Sequence, residues 1–177
     1  MKKIKYIFEK IYRLFIGEFR WAVKHGMKAG NGCIFPNSTH FGSEPYLLKF
    51  GDRVKCSFDV VFLTHDGGTW AFRREEGYKA VVKFAPIVID DDTFIGARAI
   101  IMPGVHIGKN CVIGTGSVVT KDVPDGCVYA GVPAKFICTT QEYADKSKNN
   151  APANFNLVQY RKDKRGYLEN LFYNDLN

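Results

Sequence analysis

Aliphatic residues recur at every sixth position from residue 89 onward. The blocks IDDDTF, IGARAI, IMPGVH, IGKNCV, IGTGSV and VTKDVP each begin with one of them, and the fifth residue of each block is small or β-branched. A period of six excludes an amphipathic α-helix but contains the two-residue period of a β-strand. Glycine often holds the second position and supplies the backbone freedom that a turn in every block requires. The pattern predicts a coil with three flat sides, one hexapeptide per side, and stacked aliphatic residues inside.

The same phase continues toward the N-terminus, with two departures from regularity. Phe50, Cys56 and Phe62 begin earlier blocks, whereas the spacing from Phe41 to Phe50 is irregular, so we expect distorted first coils. The phase is lost again after Phe62, and residues 66–86 are predicted to form a loop that projects from one face. Insertions of this kind often carry function.

The two ends of the chain lack the repeat. Residues 1–24 show helical periodicity, with apolar residues at Ile4, Ile7, Phe8, Ile11, Leu14 and Phe15. Two interpretations stay open: a cap or subunit contact, or a peripheral membrane contact through residues 1–24. The predicted organisation is an N-terminal amphipathic helical segment at 1–30, a β-helix domain at 31–138 with the 66–86 loop inserted, and a C-terminal helix and tail at 139–177.

The distribution of charge and the spacing of the cysteines exclude some classes of function for this protein. The net charge is +7, of which +6 lies in residues 1–30, and the remainder holds 17 basic against 16 acidic residues. The main body therefore has no basic field suited to nucleic acid. Five cysteines without CxxC spacing indicate reduced thiols. No apolar run suits a membrane span, and Glu9, Lys10 and Arg13 interrupt a signal-peptide pattern. We expect a cytoplasmic protein, with a peripheral contact at the inner membrane face as the alternative.

The run IGARAIIMPGVHIGKNCVIGTGSVVTKDVPDGCVYAGVPAKFI resembles the closing coils of hexapeptide-repeat acyltransferases, in the branch of galactoside, maltose and xenobiotic acetyltransferases. The resemblance is strong over residues 89–137, fair over 41–88 and absent from the ends. It implies an all-β fold, the left-handed parallel β-helix, although the usual crossover is right-handed. It also implies acetyl-CoA as donor and a homotrimer with active sites between subunits.

Five residues occupy positions that the resemblance assigns to the donor. Ala97 and Thr115 would line the pantetheine arm, with Thr120 and Lys121 further along toward the nucleotide end. Lys135 would lie near the CoA phosphates, where a cation suits an anionic cofactor.

Acyl transfer to a hydroxyl needs a base, and histidine suits that role near neutral pH. Of His25, His40, His65 and His106, we select His65, because it lies where the coil breaks into the loop. Its THDGG context resembles that of sugar O-acetyltransferases from polysaccharide gene sets. Asp66 is a candidate to orient the imidazole or contact the acceptor, or else a turn residue.

Two loop residues are candidates for acceptor binding. Trp70 offers a flat face for a sugar ring, or pins the loop to the body. Arg73, beside Arg74, would meet an anionic acceptor, or belong to a solvated face.

The predicted function is acetyl-CoA-dependent O-acetylation of a sugar hydroxyl, in a glycan or small-molecule precursor of a surface polysaccharide. The alternatives are N-acylation of a nucleotide-linked amino sugar and a non-catalytic β-helix scaffold. A zinc enzyme on this fold would need three converging histidines, and the histidine spacing here does not match that, so no metal is predicted.

Overall fold

A computed structural model describes residues 11–152 and 154–173, and the chain divides into two compact units, residues 1–143 and 144–177. The first unit is a β-helix with three sheets, one for each side of the coil. The first sheet has the order β1-β2-β5-β8, with β1 Lys28–Ala29, β2 Leu48–Phe50, β5 Ile87–Ile89 and β8 His106–Ile107. The second has the order β12-β11-β9-β6-β3, with β3 Lys55–Cys56, β6 Phe94–Ile95, β9 Val112–Ile113, β11 Cys127–Gly131 and β12 Ala134–Thr139. The third has the order β10-β7-β4, with β4 Val61–Phe62, β7 Ile100–Ile101 and β10 Val118–Val119.

Pairing between successive coils confirms the hexapeptide period. Phe94 pairs with Val112, and Ile100 pairs with Val118, so each turn of the regular region takes 18 residues. The first residue of each hexad is at most 1% exposed, at Ile89, Ile95, Ile101, Ile107, Ile113 and Val119. Full burial of one such side chain contributes about 1.5–3 kcal/mol. The stacked aliphatic column is therefore the main source of stability of the β-helix.

Left-handed backbone conformations form the corners of the coil. Arg53, Asp92 and Asn110 have positive φ angles of 55°, 58° and 53°, and each lies two residues before a strand of the second sheet. Such conformations are costly for residues other than glycine and need support from their surroundings. Arg53 donates two hydrogen bonds of 2.6 Å to the carboxylate of Asp92 on the next coil. This ion pair ties two successive corners together.

Extra residues enter the coil at only one of its three edges, the one that follows the third sheet. His40 pairs with Val61, 21 positions later, and Val61 pairs with Ile100, 39 positions later. The first group of extra residues lies before Leu48 and includes a 3-10 helix at Pro45–Leu47. The second is the loop between β4 and β5, residues 63–86, which starts three residues before the predicted 66–86. Both insertions therefore lie on the same edge, one coil above the other.

The N-terminal residues cap the β-helix. Residues 11–16 are helical, and helix α1, Glu18–Lys24, buries Trp21 and Ala22 against the core. The first coil begins at β1, within the segment predicted as 1–30. Residues 1–10 of the predicted amphipathic helix lie outside the described residues. Among the residues that the structure describes, no helix has the length and apolar character needed to cross a membrane.

Two antiparallel strands, β11 and β12, close the second sheet, and helix α2, Thr140–Asn149, follows. In the second unit, α3 spans Leu157–Lys162 and α4 spans Lys164–Tyr173. Phe155, which precedes α3, and the helical residues Tyr160 and Tyr167 contact one another. The pattern of residues predicted only a tail after the closing helix, because helices this short leave little periodicity to detect.

Candidate active site

The loop after β4 closes on itself at its base. The amide of Asp66 donates to the carbonyl of Lys83 at 2.9 Å, and the amide of Ala85 donates to the carbonyl of Thr64 at 3.0 Å. This antiparallel bridge places His65 opposite Phe84, with ring centroids 5.6 Å apart. The imidazole is therefore held at the point where the loop leaves the coil.

Asp66 starts the next element of the loop, a 3-10 helix at Gly67–Phe72. Its Oδ1 accepts a hydrogen bond of 2.9 Å from the amide of Gly68, and its Oδ2 accepts one of 3.2 Å from Nζ of Lys83. The hydrogen bond from Gly68 and then the one from Lys83 lower the pKa of the Asp66 carboxyl. In this arrangement Asp66 caps the 3-10 helix, and its predicted part in the chemistry stays a prediction.

The loop encloses a cleft of about 300 Å³ beside His65. The cleft brings together four residues that the sequence analysis selected, namely His65, Asp66, Trp70 and Arg73. Trp70 is 71% exposed, so most of its indole is available to a ligand or to another protein surface.

Arg73 connects the two arms of the loop. Its Nη2 donates to Oγ1 of Thr69 at 2.9 Å and to the carbonyl of Val81 at 3.5 Å. Its Nε is buried without a hydrogen-bond partner among the described residues. The guanidinium thus stabilises the wall of the cleft, and contact with an anionic acceptor stays a prediction.

Glu44 is the site residue that sequence reasoning missed. Its Oε2 accepts a hydrogen bond of 2.7 Å from Oγ1 of Thr64 and one of 2.9 Å from Nδ1 of His65. Its side chain is only 14% exposed. Burial raises the pKa of the Glu44 carboxyl, but the hydrogen bonds from Thr64 and His65 outweigh that effect, and the net pKa lies below its ordinary value. The irregular Phe41–Phe50 spacing was the one available signal for this insertion.

The carboxylate decides which nitrogen of the imidazole is available for chemistry. An ionised carboxylate only accepts hydrogen bonds, so Nδ1 of His65 carries the proton that it shares with Glu44. The other nitrogen, Nε2, then keeps its lone pair. This is the tautomer that a general base requires if Nε2 is to take a proton from an acceptor.

The residues predicted to bind the donor lie at two different edges of the coil. Ala97 and Thr115 lie between the second and third sheets, where the amide of Gly116 donates to the carbonyl of Ala97 at 2.8 Å. Thr120 and Lys121 directly follow β10, at the edge that also carries His65, and both are exposed. Lys135 is exposed on β12.

The remaining histidines have other surroundings. His25 follows α1 as its C-terminal cap. His40 is exposed and bridges to Val61. His106 points outward from β8 and contacts Oδ2 of Asp90 through Nε2 at 2.8 Å, outside the loop cleft.

Comparison with known proteins identifies the family. Residues 86–121 match the family described as the hexapeptide repeat of succinyl-transferase. Protein CapG of Staphylococcus aureus is 42% identical over 151 residues, which cover 84% of this chain and 86% of that protein. The chain therefore belongs to the hexapeptide-repeat acyltransferase family.

Solved structures agree on the fold. A hexapeptide-repeat acetyltransferase from Vibrio cholerae matches with a TM-score of 0.53 and 22% identity, over 68% of this chain and 78% of that one. The same Vibrio protein complexed with acetyl coenzyme A matches with a TM-score of 0.51 and 21% identity, over 68% of this chain and 75% of that one. A maltose O-acetyltransferase from Clostridium difficile 630 matches with a TM-score of 0.51 and 24% identity, over 68% of this chain and 73% of that one. The predicted left-handed parallel β-helix is confirmed, and the protein is an acyltransferase.

Proposed function

We propose that this acyltransferase moves an acetyl group from acetyl-CoA to a sugar hydroxyl in a precursor of a surface polysaccharide. The observation that carries the proposal is the imidazole of His65, which lines the loop cleft while a carboxylate holds its Nδ1. A hydroxyl needs a base to become a nucleophile, and an imidazole held through Nδ1 supports that role for His65. The exposed face of Trp70 in the same cleft suits the apolar face of a sugar ring.

The reaction follows from this arrangement. Nε2 of His65 takes the acceptor proton while the hydroxyl oxygen attacks the thioester carbonyl carbon and forms a tetrahedral intermediate. The intermediate collapses with cleavage of the carbon–sulfur bond, and the imidazolium returns the proton to the departing CoA thiolate. The products are the acetyl ester and free CoA thiol, with His65 restored to its neutral form.

The donor would lie along the coils toward the closing end of the β-helix. Ala97 and Thr115 would contact the pantetheine arm. Thr120 and Lys121 would lie further along, toward the nucleotide end, and Lys135, an exposed cation, would meet the phosphates.

We further propose that the active enzyme is a homotrimer. Within one chain, His65 follows the third sheet whereas Ala97 and Thr115 precede it, so the face of that sheet separates the base from the pantetheine residues. A neighbouring copy that presents its Ala97–Thr115 edge to the His65 edge of the first would bring both into one cleft. Sedimentation of the full chain tests the assembly, and a catalytically active monomer would contradict it.

Variants of two histidines test the catalytic assignment. The assay measures CoA thiol released from acetyl-CoA in the presence of a panel of sugars and nucleotide sugars. We expect His65→Ala to lower kcat by about 10²–10⁴-fold. His106→Ala is the matched control, because His106 also pairs with a carboxylate but lies outside the cleft, and it should retain full activity.

Three results would contradict the proposal. Full activity in a folded His65→Ala enzyme would contradict the assignment of His65 as the base. Failure of wild-type protein to bind acetyl-CoA in calorimetry would contradict the assignment of acetyl-CoA as the donor. Transfer to amino sugars alone, with substantial residual rate in His65→Ala, would favour N-acylation, since a neutral amine needs less base assistance than a hydroxyl.

A further inference from the structure

The edge that carries His65 is built from two coils. Glu44 belongs to the extra residues of the first coil, and Thr64 and His65 begin the loop of the second. These two adjacent loop residues donate to the same carboxylate oxygen. Because both donors converge on Oε2, the position of the Glu44 carboxylate is fixed from two directions.

Close backbone packing brings the two coils together at this edge. Gly42 has a φ angle of 69°, and a Cβ added there would lie 3.2 Å from the carbonyl oxygen of Phe62 and 3.4 Å from Oγ1 of Thr64. Pro45, directly after Glu44, is buried and starts the 3-10 helix. The chain on both sides of Glu44 is therefore held in place, which aims its side chain at the base of the loop.

Two carboxylates near His65 have different roles: Asp66 is its neighbour in sequence, and Glu44 is its hydrogen-bond partner. Asp66 is committed to the amide of Gly68 and to Lys83. Glu44 is the carboxylate whose hydrogen bond reaches the imidazole. The orienting carboxylate therefore comes from 21 residues earlier in the chain.

We propose that Glu44 is a positioning residue for catalysis, which selects the Nδ1-protonated tautomer of His65 and fixes the orientation of its imidazole. This inference rests on the proposed role of His65 as base. The negative charge of Glu44 stabilises the imidazolium that forms when Nε2 takes the acceptor proton. Thr64 acts on Glu44 rather than on the substrate, because its hydroxyl restrains the carboxylate in the orientation that the imidazole requires.

The tautomer of His65 separates this role from a purely structural one. A neutral amide at position 44 can present either its oxygen or its NH2 group to Nδ1, so it accepts either tautomer of the imidazole. In the tautomer that carries the proton on Nε2, that nitrogen has no lone pair for the acceptor proton. The chemical step should therefore slow, while binding of the donor stays the same.

The central experiment uses Glu44→Gln, which removes the charge and keeps the size of the side chain. We expect kcat to fall by about 10²–10⁴-fold, with the KM for acetyl-CoA unchanged. Nitrogen-15 NMR of the imidazole should show loss of the single Nδ1-protonated tautomer. Glu44→Asp, which keeps the charge on a shorter side chain, should recover part of the rate and part of the Nδ1-protonated tautomer.

A double-mutant cycle shows whether Glu44 acts through His65. If it does, His65→Ala/Glu44→Gln should be no slower than His65→Ala alone, because the carboxylate has no base left to position. Asp90→Asn provides the matched control, since it removes the carboxylate from the pair with His106, and it should leave kcat and the tautomer of His65 unchanged. Thermal unfolding of each variant checks that the fold persists.

The outcomes distinguish the positioning role of Glu44 from the role of His65 as base. If His65→Ala is inactive while Glu44→Gln matches wild type in rate and tautomer, the positioning role is overturned and the proposed function stands. If Glu44→Gln is slower with an unchanged tautomer, the role is structural and the inference is again overturned. If a folded His65→Ala enzyme is fully active, the proposed function itself has failed.

Discussion

The rings of Phe41 and Phe62 lie stacked, with centroids 5.9 Å apart and planes inclined by only 2°. Both side chains are fully buried in the core. Phe41 is the last core residue before the insertion that carries Glu44, and Phe62 is the last before the loop that carries His65. The stack therefore fixes the spacing of the two coils directly beneath the candidate active site.

Truncation of this stack should affect both stability and activity. We expect Phe62→Ala to lower the free energy of unfolding by about 3–5 kcal/mol, through lost burial and the cavity that remains. Activity should fall as well, because the hydrogen bond between Glu44 and His65 depends on the distance between the coils. Denaturant unfolding measures the first effect. Phe58→Ala is the control, since Phe58 is 52% exposed, and an equal loss of stability in both variants would contradict the role of the stack.

The sequence predicted the core of this protein far better than its site. The hexad positions Ile95, Ile101 and Ile107 were assigned to the interior correctly because each repeats one local pattern that burial alone enforces. The position of His65 at the start of the loop followed from the same regularity, since it marks where the pattern stops.

Glu44 could not be predicted in this way. Its contact with His65 depends on how many extra residues the first coil takes and on which edge they enter. Periodicity identifies an irregular spacing but does not say where the added side chains point. Sequence proximity favoured Asp66 instead, and its carboxylate is used by the local turn at Gly68, an interaction common for Asp at such positions.

Asp66 caps the 3-10 helix of the loop, and this cap should be lost at low pH. The hydrogen bond from the amide of Gly68, and after it the hydrogen bond from Lys83, lowers the pKa of Asp66 in the folded loop. The contribution of the cap is therefore present above the pKa of the unfolded carboxyl and is lost as the pH falls through the lowered value of the folded state. Hydrogen exchange of the 67–72 amides should show this loss in the wild type. In Asp66→Asn, which keeps a capping oxygen without titrating, protection should not change over the same pH range.

Kinetics separate capping from direct chemistry at Asp66. We expect Asp66→Ala to raise the KM for the acceptor, because the loop that presents Trp70 becomes less ordered, with a smaller change in kcat. Asp66→Asn should restore the KM. A large fall in kcat for both variants, with the acceptor KM unchanged, would show instead that the carboxylate takes part in the chemical step.

Gly96 is required by a close approach of two coils. A Cβ added there would lie 2.6 Å from the amide nitrogen of Thr115 and 2.7 Å from the carbonyl oxygen of Ile113, and a backbone atom cannot rotate away. We expect Gly96→Ala to cost about 1–3 kcal/mol of stability. It should also weaken acetyl-CoA binding in calorimetry, because Thr115 and the adjacent Ala97 are displaced.

Gly67→Ala is the matched control for this substitution. A Cβ at Gly67 meets nothing within 4 Å, so its effect on stability should stay within about 0.5 kcal/mol. Loss of stability in Gly96→Ala with unchanged acetyl-CoA affinity would contradict the assignment of this edge to the pantetheine arm.

The most exposed large apolar side chains of the helical residues 11–16 are Leu14 at 84% and Phe15 at 85%. They lie in the thirty-residue segment that carries a net charge of +6, whereas the rest of the chain is nearly neutral and offers no matching negative field. An anionic bilayer supplies both an apolar layer for these side chains and opposite charge, worth about 1 kcal/mol per basic residue near the surface. We therefore expect the protein to float with vesicles that contain anionic lipid.

Substitution of the exposed pair tests this contact without disturbing the cap, because Trp21 and Ala22 supply the buried contacts of α1. Leu14→Ser/Phe15→Ser should abolish flotation, and added salt should weaken it in the wild type, since screening reduces the electrostatic part. Tyr46→Ser, which alters an exposed aromatic residue elsewhere, should leave flotation unchanged. The membrane prediction is wrong if the wild type does not float with anionic vesicles. If sedimentation also shows that the double variant dissociates into monomers, the same side chains form a subunit contact.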